Sequence, residues 1–205
     1  MERFETLTPL EFSASVERTA NSGIDQKNVV DNCSVSLVEE LGEFAGVIKK
    51  WKYHGHELDL NKVQKELGDI LFYCFWMTIT MTNDPQCMTF SQLFSRDFKS
   101  QLAAIPGGSE QNLAQQFYHA QEDLGRILST GFAYTANRKL GYDTYRFKQM
   151  IEIRVFTFLR ALTAICCNLG FEDLHWGHIA HLNQQKLMKR YPDGFSSKDS
   201  RERVE

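Results

Sequence analysis

Two long stretches with the hydrophobic spacing of α-helices constrain this 205-residue chain most strongly. The first runs from about Lys27 to Tyr53 and the second from about Asp59 to Thr82, each with apolar side chains every three or four residues. The short segment His54-Gly55-His56 separates them, so we predict that they form an antiparallel hairpin. From Ile70 to Met81 the second helix is apolar on all sides, which is typical of a helix buried in a bundle or at a dimer interface.

The rest of the chain has the same helical character. Thr8 and Pro9 mark a helix start, because threonine is a favoured N-cap and proline fits the first helical turn. Further helices are predicted at about 110–129, 144–169 and 172–190. We expect a less periodic stretch at 86–108 that ends in the turn Pro106-Gly107-Gly108, a loop at 131–141, and a frayed polar tail after residue 195. No segment reads as a β-strand, so the predicted fold class is all-α.

The composition argues against several classes of function. The net charge is −3, which does not fit the basic surface of a duplex nucleic-acid binder. Five cysteines without a CxxC pair disfavour a disulfide framework or a structural zinc site and favour a reducing compartment. The N-terminus lacks the apolar segment of a signal peptide, and no apolar run is long enough to span a bilayer. We therefore expect a cytoplasmic protein that binds neither nucleic acid nor membranes.

Five acidic side chains cluster on the two long helices. Glu39, Glu40 and Glu43 lie near one face of the first helix, and Glu66 and Asp69 lie one turn apart on the second. In an antiparallel hairpin these two faces can meet. Carboxylates at close quarters repel one another, and a divalent cation bound by oxygen ligands removes that repulsion. The pattern therefore indicates a Mg²⁺ site open to phosphates, although EExxE alone is common on solvated helix faces.

Two glycines stand between these acids, in the middle of the helices. Glycine in a helix interior costs about 1 kcal/mol relative to alanine. We therefore predict that Gly42 and Gly68 are places where a second helix or a ligand approaches the backbone closely.

The stretches EELGE and ELGD, in this order, resemble the EExxE…ExxD signature of the MazG-like nucleoside triphosphate pyrophosphohydrolases. Near the C-terminus, HLNQQKLMKRYPDGF is similar to the closing segment of that family. The resemblance implies a MazG-like helical bundle formed by a single domain over residues 1–205. A large helical insertion, at about 84–150, would precede the last core helices.

The MazG-like family cleaves nucleoside triphosphates to the monophosphate and pyrophosphate. The resemblance implies the same reaction here, for control of the nucleotide pool or supply of a monophosphate, with Mg²⁺ as the cofactor and Mn²⁺ as a substitute. It assigns Glu40, Glu43, Glu66 and Asp69 as metal ligands. Glu39 and Glu40 are the candidate catalytic residues, Glu39 being either a further ligand or the group that orients the attacking water. Family members assemble as dimers or dimers of dimers, so we expect a homo-oligomer.

The resemblance also indicates substrate contacts. Asn183 and Lys186 match an Asn-xx-Lys pair in the family's closing segment. Other candidate contacts, chosen by residue type and position, are Arg18, Asn32, Lys49, Trp51, Lys52 and Tyr191. The lysines among them fit equally well a solvated helix end, where positive charge favours the helix dipole. We expect a deoxynucleotide and lean towards dGTP, although nothing in the sequence fixes the base.

Two other interpretations fit parts of the sequence. One is a non-catalytic helical interaction protein that binds its partner through the insertion; nucleotide hydrolysis with Mg²⁺ or Mn²⁺ discriminates it from the enzyme. The other is a di-iron bundle, suggested by Glu172-xx-His175 and by the spacing of His175, His178 and His181. That architecture needs two Glu-xx-His motifs and the sequence has one in a plausible helix, so we disfavour it.

Overall fold

A computed structural model describes residues 5–84, 86–102 and 112–201 of the chain. The described residues are mostly helical, and β-pairing among them is limited to an isolated bridge between Asp97 and His175. This confirms the predicted all-α class. No helix in the described ranges is long and apolar enough to cross a membrane. The helices are α1 (Pro9–Thr19), α2 (Gln26–His54), α3 (Leu60–Thr82), α4 (Met88–Phe94), α5 (Phe98–Leu102), α6 (Leu113–Lys139), α7 (Tyr145–Asn168), α8 (Trp176–Arg190) and α9 (Ser197–Arg201).

The predicted hairpin is formed by α2 and α3. Gly55 takes a left-handed conformation with φ +70°, which ends α2, and the Asp59 side chain accepts a hydrogen bond of 3.0 Å from the backbone N–H of Lys62 to start α3. At the first helix, Thr8 and Glu11 form a reciprocal capping box. Local capping chemistry therefore explains why these boundaries were predictable from the sequence.

Helix α3 lies at the centre of the fold, in contact with α1, α2, α7 and α8. Its apolar second half is buried within the chain itself: the ring of Phe75 lies 5.2 Å from that of Phe12 on α1 and 4.2 Å from that of Phe90 on α4. Of the two environments expected for this half, a bundle and a dimer interface, the structure therefore shows burial in a bundle. Helices α1, α4 and α7 contribute to that burial.

Three predicted boundaries need correction. Helix α6 continues to Lys139 through the stretch predicted as a loop, because Gly131 packs inside the bundle: an added Cβ would lie 2.9 Å from Val30 Cγ1 on α2. Residues 172–174 precede α8 rather than begin it, and the backbone N–H of Phe98 donates to the Leu174 carbonyl at 2.7 Å. The tail predicted to be frayed contains α9. The predicted turn at 106–108 lies outside the described residues.

The N-terminal segment before α1 crosses the start of α8 at Gly177. The backbone N–H of Leu7 donates to the Gly177 carbonyl at 3.0 Å, and an added Cβ on Gly177 would lie 2.8 Å from the Leu7 carbonyl oxygen. His181 Nε2 lies 2.9 Å from a Glu5 carboxylate oxygen, and His178 Nδ1 lies 3.0 Å from the Glu5 carbonyl. Two of the three closely spaced histidines therefore hold this segment in place.

Candidate functional site

The α2–α3 hairpin brings three of the predicted acids together. One carboxylate oxygen from each of Glu40, Glu43 and Glu66 lies within 4.8 Å of the others. Glu43 is exposed, Glu40 is half-buried and Glu66 is buried. The three carboxylates therefore extend from the surface at Glu43 to the interior at Glu66, and a cation bound among them could contact all three side chains.

Glu66 gives the clearest indication that this group of carboxylates could bind a cation. Its side chain has no exposed surface, and neither carboxylate oxygen has a hydrogen-bond partner among the described residues. Burial raises the pKa of Glu66, and the charges of Glu43 and Asp69 add to the effect against the opposing charge of Lys65. A buried carboxylate is costly unless it is paired or coordinates a metal. The donor set, oxygen atoms from several carboxylates, suits Mg²⁺ or Mn²⁺.

The surroundings of Glu40 likewise disfavour its charged form. Burial and the nearby charge of Asp69 raise the pKa of Glu40 to about 8, while the positive charge of Lys186 acts in the opposite direction. The charged form of Glu40 is therefore disfavoured by its surroundings, and a divalent cation beside it would stabilise that form.

Asp69 is bound by α8 instead. The ammonium group of Lys186 contacts both oxygens of Asp69, and Asn183 Nδ2 donates to Asp69 Oδ1 at 3.0 Å. The side-chain amide oxygen of Asn183, Oδ1, is buried and has no hydrogen-bond partner within the described ranges. The sequence-predicted pair Asn183 and Lys186 therefore lies directly at the predicted acidic site.

The two glycines behave differently. An added Cβ on Gly68 would lie 3.0 Å from Asn183 Cβ, so the predicted close approach at Gly68 is confirmed. At Gly42 an added Cβ would meet nothing within 4 Å, and no described helix approaches there. Among the described residues α8 packs on α3 and no second helix approaches Gly42, so a close approach of a ligand at Gly42 stays a prediction.

The other predicted site residues lie further from this cluster or serve different contacts. Glu39 is exposed and is not part of the carboxylate group. Arg18 donates to the backbone carbonyl of Pro192, and Tyr191 is buried with its ring 5.4 Å from that of Phe195. The remaining candidates lie on α2: Asn32 is half-buried, Lys49 and Lys52 are exposed, and Trp51 packs partly buried against the core.

A cavity of about 330 Å³ lies between α1 and the second half of α3. Its lining includes Trp76 and Thr80 from α3 and Glu17 and Asn21 from the end of α1 and the following loop. Tyr73 lies between this cavity and Asp69 along α3, and its hydroxyl is hydrogen-bonded to Ser36 on α2. The spacing 69, 73, 76 and 80 is the signal that would have revealed this face.

Arg190 lies on the same face of α8 as Lys186. It lies one turn beyond Lys186, its guanidinium stands 5.2 Å from the centre of the Tyr191 ring, and its Nη2 atom is buried without a partner in the described residues. The di-iron alternative finds no support in the geometry, because Glu172 lies outside α8 and pairs with Lys99 at 3.4 Å. No His-containing group of potential metal ligands occurs among the described residues.

Fold and site together define an all-α protein with a carboxylate group able to hold a divalent cation, beside a lysine and an asparagine. A protein-family model described as dUTPase matches residues 14–193, and the chain belongs to this family. Like the MazG family, it is an all-α family of nucleotide hydrolases. The matched range includes the acids of α2 and α3, the Asn183–Lys186 pair and the whole of residues 84–150. Comparison with curated proteins and with solved structures found no match.

Proposed function

We propose that this protein hydrolyses a deoxynucleoside triphosphate between its α and β phosphates, and that dUTP is its main substrate. The observation that carries the proposal is the buried, unpartnered Glu66 carboxylate beside Glu40 and Glu43, in a chain that matches a dUTPase family model across both helices of the hairpin. The family description favours dUTP over the dGTP suggested by the sequence. The order of the acidic motifs supports the finer kinship with MazG-like enzymes.

In this proposal Glu40, Glu43, Glu66 and Asp69 hold the cation. When bound, Mg²⁺ or Mn²⁺ neutralises phosphate charge and lowers the pKa of a coordinated water. Glu40 is also the proposed catalytic residue, because a bound cation would keep its carboxylate ionised and able to accept a hydrogen bond from a water beside it. Glu39 remains the alternative for orienting the water, since it adjoins Glu40 at the surface.

The nucleoside is proposed to lie along α3. Asp69, Tyr73 and Trp76 share one face of that helix, and seven residues of helix span about 10 Å, comparable to the separation of a base from its phosphates. The cavity beside Trp76 offers an aromatic wall together with polar groups from Glu17 and Asn21. Lys186 and Arg190 would then face the phosphates from α8.

Residues 84–150 are proposed to be part of the same single domain. The buried apolar cluster that includes α3 also includes Phe90 of α4 and Ile127 of α6, so this segment shares the central core. We further propose a cytoplasmic homodimer. Val35 and Val38 on the outer face of α2 are 72% and 52% exposed, beside the open Gly42.

The test is hydrolysis of dUTP, dTTP, dCTP and dGTP with Mg²⁺, with Mn²⁺ and with EDTA, measuring phosphate release with and without added inorganic pyrophosphatase. We expect the fastest turnover with dUTP, phosphate release that depends on the added pyrophosphatase, and none in EDTA. Glu43→Gln should abolish turnover while Glu39→Gln retains most of it. If no nucleotide is hydrolysed under any condition, the protein is a binding protein and the proposal fails.

A further inference from the structure

We propose that Lys186 acts as an internal counter-ion that occupies Asp69 until a divalent cation and a nucleotide arrive together, and that it then transfers to the substrate phosphates. The inference rests on the proposed function and adds to it a coupling between metal binding and nucleotide binding. It concerns Lys186 and its contacts on α3.

The four acids of the site are not equivalent. Asp69 is paired, because the ammonium group of Lys186 contacts both of its oxygens and Asn183 donates to one of them. Glu66, by contrast, has no hydrogen-bond partner for either oxygen among the described residues. Lys186 is therefore in direct contact with Asp69, while its charge also acts at longer range on Glu40 and Glu66.

The two side chains that contact Asp69 differ in conformational freedom. Asn183 is buried, and its Cβ lies 3.0 Å from where a Cβ on Gly68 would stand, so close packing fixes it against α3. The Lys186 side chain is about a quarter exposed and carries its charge on a flexible four-carbon stem. Asn183 can therefore keep orienting the Asp69 carboxylate while Lys186 departs.

Departure of Lys186 has an energetic consequence. A cation that takes the Asp69 oxygens leaves the ammonium group partly buried and without its carboxylate partner, which is unfavourable. A triphosphate supplies new oxygen partners for that ammonium group. Cation and nucleotide should therefore favour each other's binding, and by linkage the enhancement is the same in both directions.

The test is Mn²⁺ binding by titration calorimetry, with and without a non-hydrolysable α,β-imido analogue of dUTP. Lys186→Met removes the ammonium group and keeps the length of the side chain. Mn²⁺ alone should bind this variant about tenfold or more tightly than the wild type, a change of about 1.4 kcal/mol. The enhancement of Mn²⁺ binding by the analogue should be clearly smaller in this variant than in the wild type, since only the part contributed by the phosphates themselves remains.

A matched control distinguishes the effect of direct contact with Asp69 from the effect of removing any nearby positive charge. Lys65 is an exposed lysine whose charge acts on Glu66, and it does not contact Asp69. Lys65→Met should change Mn²⁺ affinity much less than Lys186→Met. Lys186→Gln, which can still donate to Asp69, should be intermediate and serves as the second variant if Lys186→Met folds poorly.

Two negative results are distinguishable. If Lys186→Met binds Mn²⁺ no more tightly than Lys65→Met, or if the analogue enhances Mn²⁺ binding equally in both, the counter-ion role is refuted while the metal site stands. If the wild type and every variant fail to bind Mn²⁺ even with the analogue, the proposed function is refuted and this inference with it.

Discussion

The carboxylates of Glu40 and Glu66 are held where their charged forms are disfavoured. Burial raises both pKa values, that of Glu40 to about 8, and Glu66 has no hydrogen-bond partner among the described residues. Such groups destabilise the metal-free protein, and structures keep them where a ligand supplies the compensating interaction. These two carboxylates therefore lower the stability of the folded protein locally, and a bound cation would raise that stability again.

This predicts an unusual pH dependence for the metal-free protein. The pKa of Glu40 is higher in the folded state than its ordinary value of 4.5, so the folded protein binds more protons than the unfolded chain between these two values. Stability should therefore fall as the pH rises from about 5.5 towards about 8 and level off above that. The shift of the Glu66 pKa has the same sign.

Thermal unfolding in EDTA across this pH range measures the effect. Glu40→Gln should flatten the profile, whereas Glu39→Gln, on the exposed side of the same helix, should leave it unchanged. Added Mg²⁺ should raise the melting temperature more at about pH 8.5 than at about pH 5.5. A profile that is identical in the wild type and in Glu40→Gln would contradict the assignment.

Which acids meet was largely predictable from the sequence, and their separate roles were not. Neighbouring helix positions point about 100° apart, so the antiparallel hairpin already implied that the acids of α2 and α3 share a face. Glu39 could not be distinguished from Glu40 because that difference depends on burial by neighbouring elements. The pairing of Lys186 with Asp69 also depends on where α8 packs, which no local pattern specifies.

At the scale of elements, the contact of α8 with α3 connects the phosphate-binding candidates to the acidic cluster. The contact depends on Gly68, because Asn183 occupies the space where a side chain would lie. The position of Gly68 in the middle of a helix predicted a close approach to its backbone. The sequence did not reveal a similar close approach at Gly131, that of Val30, and so α6 was predicted to end too early.

Gly68→Ala should therefore harm both stability and activity. Overpacking costs about 1–3 kcal/mol and the gain in helix propensity returns about 1 kcal/mol, so a net loss of up to about 2 kcal/mol is expected. Gly42→Ala, at the open position on α2, should be neutral or stabilising by up to about 1 kcal/mol. Denaturant unfolding measures both changes, and equal stability of the two variants would show that the Asn183 contact is misplaced.

At the scale of the whole molecule, one continuous apolar core includes both the hairpin and the α6–α7 pair. From the sequence, the segment at about 84–150 was predicted to be an insertion between the acidic motifs and the closing segment, because it contains no motif of its own. The family match from 14 to 193 runs through that stretch. The cavity beside Trp76 was likewise hidden from the sequence, since it forms only where α1 meets α3.

The expected homodimer is a prediction at this same scale. Light scattering should give twice the mass of the chain, and the double variant Val35→Lys with Val38→Lys should be monomeric, because it places charge on the exposed apolar face of α2. Ile153→Lys, at a position 65% exposed on α7, is the matched control and should stay dimeric. A monomeric wild type would rule out the dimer.

The central claim is that Glu40, Glu43, Glu66 and Asp69 bind the cation that serves nucleotide hydrolysis. The most direct measurement is anomalous diffraction from a crystal containing Mn²⁺ and the α,β-imido analogue of dUTP. We predict an anomalous peak bounded by these four side chains, with the analogue's phosphates against it and Lys186 turned towards them. A bound analogue with no peak among these carboxylates, or a peak elsewhere on the protein, would contradict the account.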